Sequence, residues 1–432
     1  MTPCSRPLSS EPLARSARPV LLPTALSIGL GLALSLVPQS LWAAVCSVPG
    51  TAHPTIQRAI NDPTCSEIEL KAQVYTEQLN INRPGGSVIV RGAGAGRTVL
   101  VSPTRRVRST ISTTFLRGYT YVVQVAPGSS ATLIDLTVDG GSTIRCGEPY
   151  FGLRAHNASL SLEGVVVDNV RGRTADFGCA NIIAAAVTSE AAGSAKLSLT
   201  RATVRNFQQL GVLARGVSAE LSLKDTLVRG AGEQNQQVQT GIELRDGAKG
   251  LLDRATVRDL RYTGDPCKGV GTGVRFSAAA AGKLSTSVLT NCDRGVELAK
   301  NTAAIAVTDN RFVENLSGLL AHDNGAGFSQ IIGNGFASTR RSSASTVAMC
   351  FDDSGDAIAL RSEKDSLVQK NSAADSARCA IELLPGTSNL DVRENQAVRS
   401  ARTDIEDRGS GNRLDKNLCL NSTPTGLCSG AP

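Results

Sequence analysis

Three stretches, GIELRDGAK from Gly241, GVELAKNTA from Gly295 and AIELLPGTS from Ala380, repeat one short pattern, and its variable charged positions are where chemistry could reside. In an alternating strand the residue after an inward apolar one faces out. That rule gives an outward column of Gln124, Arg154, Leu213, Glu243, Arg275, Glu297, Leu320, Ala359 and Glu382. A second column, two residues on, holds His156, Arg215, Arg245, Ser277, Ala299, His322 and Arg361. Guanidinium groups neutralise carboxylates, and a carboxylate among them can exchange a proton; abstracting the proton beside a uronate carboxylate needs both functions. We take Arg215, Glu243 and Arg245 as the candidate catalytic group. Arg154, His156, Arg275, Glu297 and the loop residue Asp176 are the candidate substrate contacts. The plainer alternative is that Glu243, Arg275 and Glu297 form a ladder of cross-strand ion pairs on a solvated sheet.

The elements that position these residues are written in the repeat. Related segments begin at Gly152, Gly211, Gly241, Gly273, Gly295, Gly318, Ala357 and Ala380. Runs such as ASLSL and AELSL alternate with period two, and Gly, Asn or Asp breaks each run, which is strand and turn signalling rather than helix. A unit this short cannot bury an apolar face alone, so successive units must stack as coils of a solenoid. Val212, Ile242, Val274, Val296, Leu319, Ile358 and Ile381 then form an inward column. Extra residues at 141–150, 170–179, 230–240 and 261–272 enter just before the repeated glycine, and loops added on one edge wall a sheet into a groove.

Composition agrees with many thin layers. Aromatic residues make up only 3% of the 432-residue chain, while Gly numbers 42. The net charge of +7 permits an anionic partner without requiring one. Arg15 and Arg18, an apolar run from Val20 to Leu36, and Ala43–Ala44 have the layout of a secretory signal peptide over residues 1–43. No other long apolar run exists, so no membrane span is expected once the leader is removed. Cys46 just after the leader raises a lipoprotein alternative, but Val45 fits that cleavage poorly. Ten of the 11 cysteines lie beyond the leader, an even set that reads as disulfides in an exported chain. Sequence order suggests Cys46–Cys65, Cys146–Cys179, Cys267–Cys292, Cys350–Cys379 and Cys419–Cys428, with connectivity left open.

The rungs, together with HPTIQRAINDPTC from His53, Tyr75-Thr-Glu77 and the Gly-rich turn after Ile89-Val90, resemble the pectin-lyase-like superfamily. The resemblance implies an all-β chain: one right-handed parallel β-helix of about a dozen coils with a short N-terminal capping helix at Thr55–Ile60. The expected organisation is a leader over 1–43, cap and first coil over 44–85, β-helix over 86–418 and a tail over 419–432. The resemblance also implies an exported protein, secreted, periplasmic or on a bacterial surface. It suggests that the chain binds, or cleaves by β-elimination, an anionic polysaccharide. The alternative is a noncatalytic surface or matrix scaffold, and whether the chain is an enzyme is left open.

Motifs narrow this further. No Gly-His-Gly accompanies Asp352-Asp353, which read as turn residues, and no zinc spacing, Ser-His-Asp signature or nucleic-acid motif is present. GAGAGRT at Gly92 reads as a β-helix turn. His53 reads as a capping residue, and His156 and His322 as surface positions more often than catalysts. No cofactor is required; calcium would need loop carboxylates such as Glu148, Asp176 or Asp265.

Overall fold

The computed structural model of the chain describes residues 44–431 apart from 112–117, 142–143, 145–146, 174–180, 191–192, 266, 268, 325–328 and 341–352. The expected leader, Asp176, Cys146, Cys179 and Cys350 lie outside the described residues.

Each coil contributes one strand to each of three parallel sheets, as in Thr120–Val125, Ser130–Ile134 and Thr137–Asp139. The sheets hold 13, 14 and 13 strands, and in each a strand pairs with its equivalents in the coils before and after. The chain is a single right-handed parallel β-helix, and the expected inward column is real. Val212 pairs with Ile242, Ile242 with Val274, and so on through Ile381, with every member buried. Rungs about 4.8 Å apart place each apolar side chain in contact with the same position one coil on.

The repeated glycine that opens each rung has a steric cause. A Cβ on Gly241 would sit 2.6 Å from the carbonyl oxygen of Gly273, and one on Gly295 would sit 2.5 Å from that of Gly318. The backbone of the next coil passes too close for a side chain there. The tight corner between the second and third sheets takes a left-handed residue, for example Asp135, Arg254 and Asp309 with φ near +50°. Beyond that corner in the later coils runs a buried ladder of Asn310, Asn334, Asn371, Asn395 and Asn417. Each amide of the ladder except the last donates to the Asn Oδ1 of the next coil, at 3.0 Å, and to a backbone carbonyl. Corner backbone that no strand can pair is satisfied this way.

The capping helix spans Ile56–Asn61. Thr55 is its N-cap, and the Glu77 carboxylate accepts from the Ile56 and Gln57 amides at 3.0 Å, so holding the cap rather than a catalytic role explains the Tyr-x-Glu motif. His53 does not cap the helix; its Nε2 lies 3.0 Å from Asp62.

Cys46–Cys65 and Cys419–Cys428 are bridged. The expected Cys267–Cys292 and Cys350–Cys379 bridges are corrected: Cys292 and Cys379 are free, buried thiols, while Cys267 is in a disulfide with another residue. Cys292 lies beneath the repeated glycine, 3.5 Å from where a Gly273 Cβ would be, and Cys379 faces Glu406 at 3.6 Å. Burial pushes both thiols up, so they persist as neutral small hydrophobes rather than reactive groups.

Candidate functional site

The outward columns hold their register across the first sheet. Arg154 pairs with Gln124 on one side and Ala186 on the other, and the column continues through Leu213, Glu243, Arg275 and Glu297. The second column runs His156, Thr188, Arg215, Arg245. The expectation that these residues stand in solvent is corrected. Arg154 is 1% exposed, His156 4%, Glu243 6% and Glu297 9%. Segments between strands fold back over the face: the Ser109 hydroxyl reaches the outward Gln124 at 2.6 Å, and Asp353 reaches Arg294 at 3.0 Å.

One part of this face is a depression lined by Phe151, Arg154, Asn181, Ile183, Thr188, Leu213, Arg215 and Arg245. Its apolar residues come from the rungs Tyr150–His156, Ile182–Thr188 and Leu210–Arg215. The Arg154 guanidinium packs 4.0 Å from the Tyr119 ring centroid and 4.9 Å from that of Phe151. Its Nη2 donates to Thr188 Oγ1 at 3.3 Å, and its Nε and Nη1 are buried without a hydrogen-bond partner. Burial draws the Arg154 pKa down, against the opposing pull of Tyr119 and the Glu190 charge. Burial, with the Arg154 charge, pulls His156 down to about 4, so His156 is neutral at pH 7. The neighbouring cations are compensated: Arg215 Nε is 2.6 Å from Asp246, and Arg245 Nη1 is 3.6 Å from Glu243. The candidates Arg154, His156, Arg215, Glu243 and Arg245 are therefore contiguous.

No protein-family model matches the chain, and no curated protein matches its sequence. Solved structures do. A double mutant of the periplasmic alginate epimerase AlgG superposes with a TM-score of 0.50 at 10% identity, over 82% of this chain and 76% of that one. The catalytic domain of a GH87 α-1,3-glucanase mutant, in complex with tetrasaccharides, gives 0.51 at 12% identity over 90% and 68%. Gene product 12 of bacteriophage phi29 gives 0.51 at 11% over 82% and 48%. The fold shared with these structures is the parallel β-helix. At these identities the likeness concerns fold alone.

Further along this β-helix the outward face closes on itself. Arg275 pairs with Glu297 at 3.0 Å, Arg294 bridges Glu297 and Asp353, and His322 sits between Glu297 at 3.3 Å and Asp323 at 3.1 Å. The structure thus places Arg275 and Glu297 in an ion-pair network and not in the depression. Burial works to raise the Glu297 pKa, but the His322 hydrogen bond and the two guanidiniums outweigh it and hold the carboxyl well below the usual range. His322 is raised, first by its Glu297 hydrogen bond. The depressed Glu297 stabilises the fold above its ordinary 4.5 and loses this as pH falls; the raised His322 stabilises below its ordinary 6.5 and loses this as pH rises. The expected result for His322→Gln is a loss in unfolding midpoint that is largest between about pH 5 and 6 and shrinks toward about pH 8, measured by thermal melts across that range.

Among the described residues, two clusters of His, Cys or acidic groups are close enough to share a metal: Cys46, His53 and Cys65, and Cys379, Glu382 and Glu406. The first contains a disulfide, and neither contains Glu148 or Asp265. Glu148 pairs with Arg108 at 3.3 Å, and Asp265 accepts from the Cys267 amide at 3.0 Å. Sequence reasoning missed Thr188, Ile183, Phe151 and Tyr119. The rung IIAAAVT from Ile182 lacks the repeated glycine, so it escaped the alignment; only its period and its place between Gly152 and Gly211 could have revealed it.

Proposed function

We propose that the protein binds an anionic polysaccharide across the Arg154, Arg215 and Arg245 depression. The observation that carries this reading is Arg154: a cation almost wholly buried, with two of its three nitrogens unpartnered and no ion pair among the described residues. A buried charge without a counter-ion costs on the order of several kcal/mol unless a ligand supplies one. Phe151, Ile183 and Leu213 offer the apolar floor on which sugar rings rest beside such a charge. Two structural neighbours are named for activity on alginate and on an α-1,3-glucan, which supports a glycan partner.

Glu243 is the base of the proposed reaction, with Arg215 and Arg245 beside it to carry the uronate charge. The base takes the proton from the carbon next to the carboxylate, the neighbouring glycosidic C–O bond breaks, a C=C bond forms, and the departing oxygen gains a proton. The expected organisation, an exported leader over 1–43 followed by the cap, β-helix and tail, belongs to this same reading. A second reading, a binding scaffold without chemistry, is favoured by the ion-pair network that fills the rest of the column.

The test is a panel of polygalacturonate, alginate, glycosaminoglycans and neutral glycans, following binding and ultraviolet absorbance from unsaturated uronides. Salt-sensitive binding to an acidic glycan alone is the expected result, and absorbance with it makes the protein a lyase. Binding without absorbance selects the scaffold. Equal affinity for neutral glycans, or none for any acidic one, overturns the proposal.

A further inference from the structure

Thr188 stands between two buried polar residues, Arg154 in the depression and His156 beside it. Its Oγ1 lies 3.3 Å from Arg154 Nη2 and 3.0 Å from His156 Nδ1. A guanidinium has only protons to give, so the hydroxyl accepts from Arg154, and its remaining lone pair and its proton leave it able to bond His156 Nδ1 in either direction. Arg154, Thr188 and His156 are thereby joined through one hydroxyl, and each is 6% exposed or less. Tyr119 and Phe151 place their ring centroids 4.0 and 4.9 Å from the guanidinium carbon, but a cation–π contact does not choose among its N–H groups. The Thr188 hydroxyl accepts from it, and so decides which N–H groups are spent within the protein and which are left over.

We infer that Thr188 is the positioning residue of the depression, holding Arg154 by Nη2 so that the guanidinium protons left unspent, on Nε and Nη1, are kept for the anionic groups of the bound glycan. This rests on the reading above, that Arg154 meets an anion. Arg215 and Arg245 already face Asp246 and Glu243, so the unbalanced charge, and with it the first anionic group to be seated, belongs to Arg154. Thr188 occupies the register position between His156 and Arg215, and a side chain without a hydroxyl there could not hydrogen-bond both Arg154 and His156.

Two substitutions separate a hydroxyl role from a packing role. Thr188→Val keeps the shape and removes the hydroxyl; Thr188→Ser keeps the hydroxyl and removes a methyl. With polygalacturonate and alginate tetrasaccharides as probes, Thr188→Val is expected to weaken binding roughly ten- to hundredfold, the worth of a hydrogen bond to a charged group. Thr188→Ser is expected to bind within about threefold of the parent, given that its hydroxyl makes the same bonds. Nitrogen chemical shifts of His156 supply a readout independent of binding: one Nδ1 shift common to the parent and Thr188→Ser, in which the hydroxyl bonds it, and a different one in Thr188→Val. The reverse order of affinities, with Ser weaker than Val, overturns the inference and makes the contact one of packing. Equal affinities for all three proteins overturn it as well while leaving anion binding intact. Absence of binding by the parent overturns the functional reading, and the inference with it.

Discussion

Replacing Arg154 with methionine is expected to weaken binding of acidic oligosaccharides about a hundredfold and, at the same time, to make the protein more stable. The two effects have one cause. Arg154 is 1% exposed, donates to Thr188 at 3.3 Å, and has Nε and Nη1 buried without partners. Cation–π contacts with Tyr119 and Phe151 return about 2 kcal/mol at most when desolvated. Exchanging an inadequately paired buried ion for an apolar side chain of similar volume gains about 1–4 kcal/mol in comparable cases, so we expect about 1–2 kcal/mol here. Loss of the charge-assisted contact should weaken binding about a hundredfold. Chemical denaturation and a titration with tetragalacturonate check the two halves. A methionine variant less stable than the parent would mean that the cation is satisfied within the protein, and a variant that binds normally would remove Arg154 from the site.

The opposite outcome is expected at Arg378, in the later coils. Its guanidinium bonds Asp356 through Nε at 2.8 Å and through Nη2, and Nη2 also meets Glu382; both carboxylates are fully buried. Arg408 joins Glu382 to Glu406, and Arg402 pairs with Glu406, so the network balances its charges internally. Arg378→Met leaves two carboxylates facing each other without their shared cation, a change that costs about 3–5 kcal/mol. Burial already raises Asp356 well above the ordinary carboxyl value. A carboxyl raised in the folded state opposes folding once pH exceeds its unfolded value, and the opposition fades as pH falls through the folded value and the group takes up its proton. The deficit of the variant is therefore expected to be smaller at about pH 5 than at about pH 8. Urea midpoints at the two pH values measure it, and an equal deficit at both would show that packing, not charge, is lost. Arginines on one sheet face thus do different work: those in the later coils hold the stack together, whereas Arg154 costs stability where it sits.

The sequence by itself determined the solenoid. Strand alternation, a glycine where a Cβ would meet the next coil's carbonyl oxygen at 2.6 Å, and apolar residues such as Ile242, Val274 and Val296 in register are local signals, and stacking requires each coil to repeat them. The asparagine ladder was also written there: Asn310, Asn334, Asn371, Asn395 and Asn417 each follow a left-handed corner residue or Gly333, a spacing legible once the corner is known. Column membership of Arg154, His156, Arg215, Glu243 and Arg245 followed from the same period. What the tertiary structure alone decided was the environment of those columns. Periodicity tells which way a side chain points, but not what loop lies over it or which rung is its neighbour. The rung without glycine supplied Thr188; the segment bearing Ser109 and Tyr119 buried Gln124 and Arg154; and ion pairs claimed Arg275 and Glu297. Cysteine pairing was legible in part: Cys46–Cys65 and Cys419–Cys428 follow sequence order, but an even count says nothing of distance, and Cys292 and Cys379 lie buried against backbone and carboxylate as free thiols.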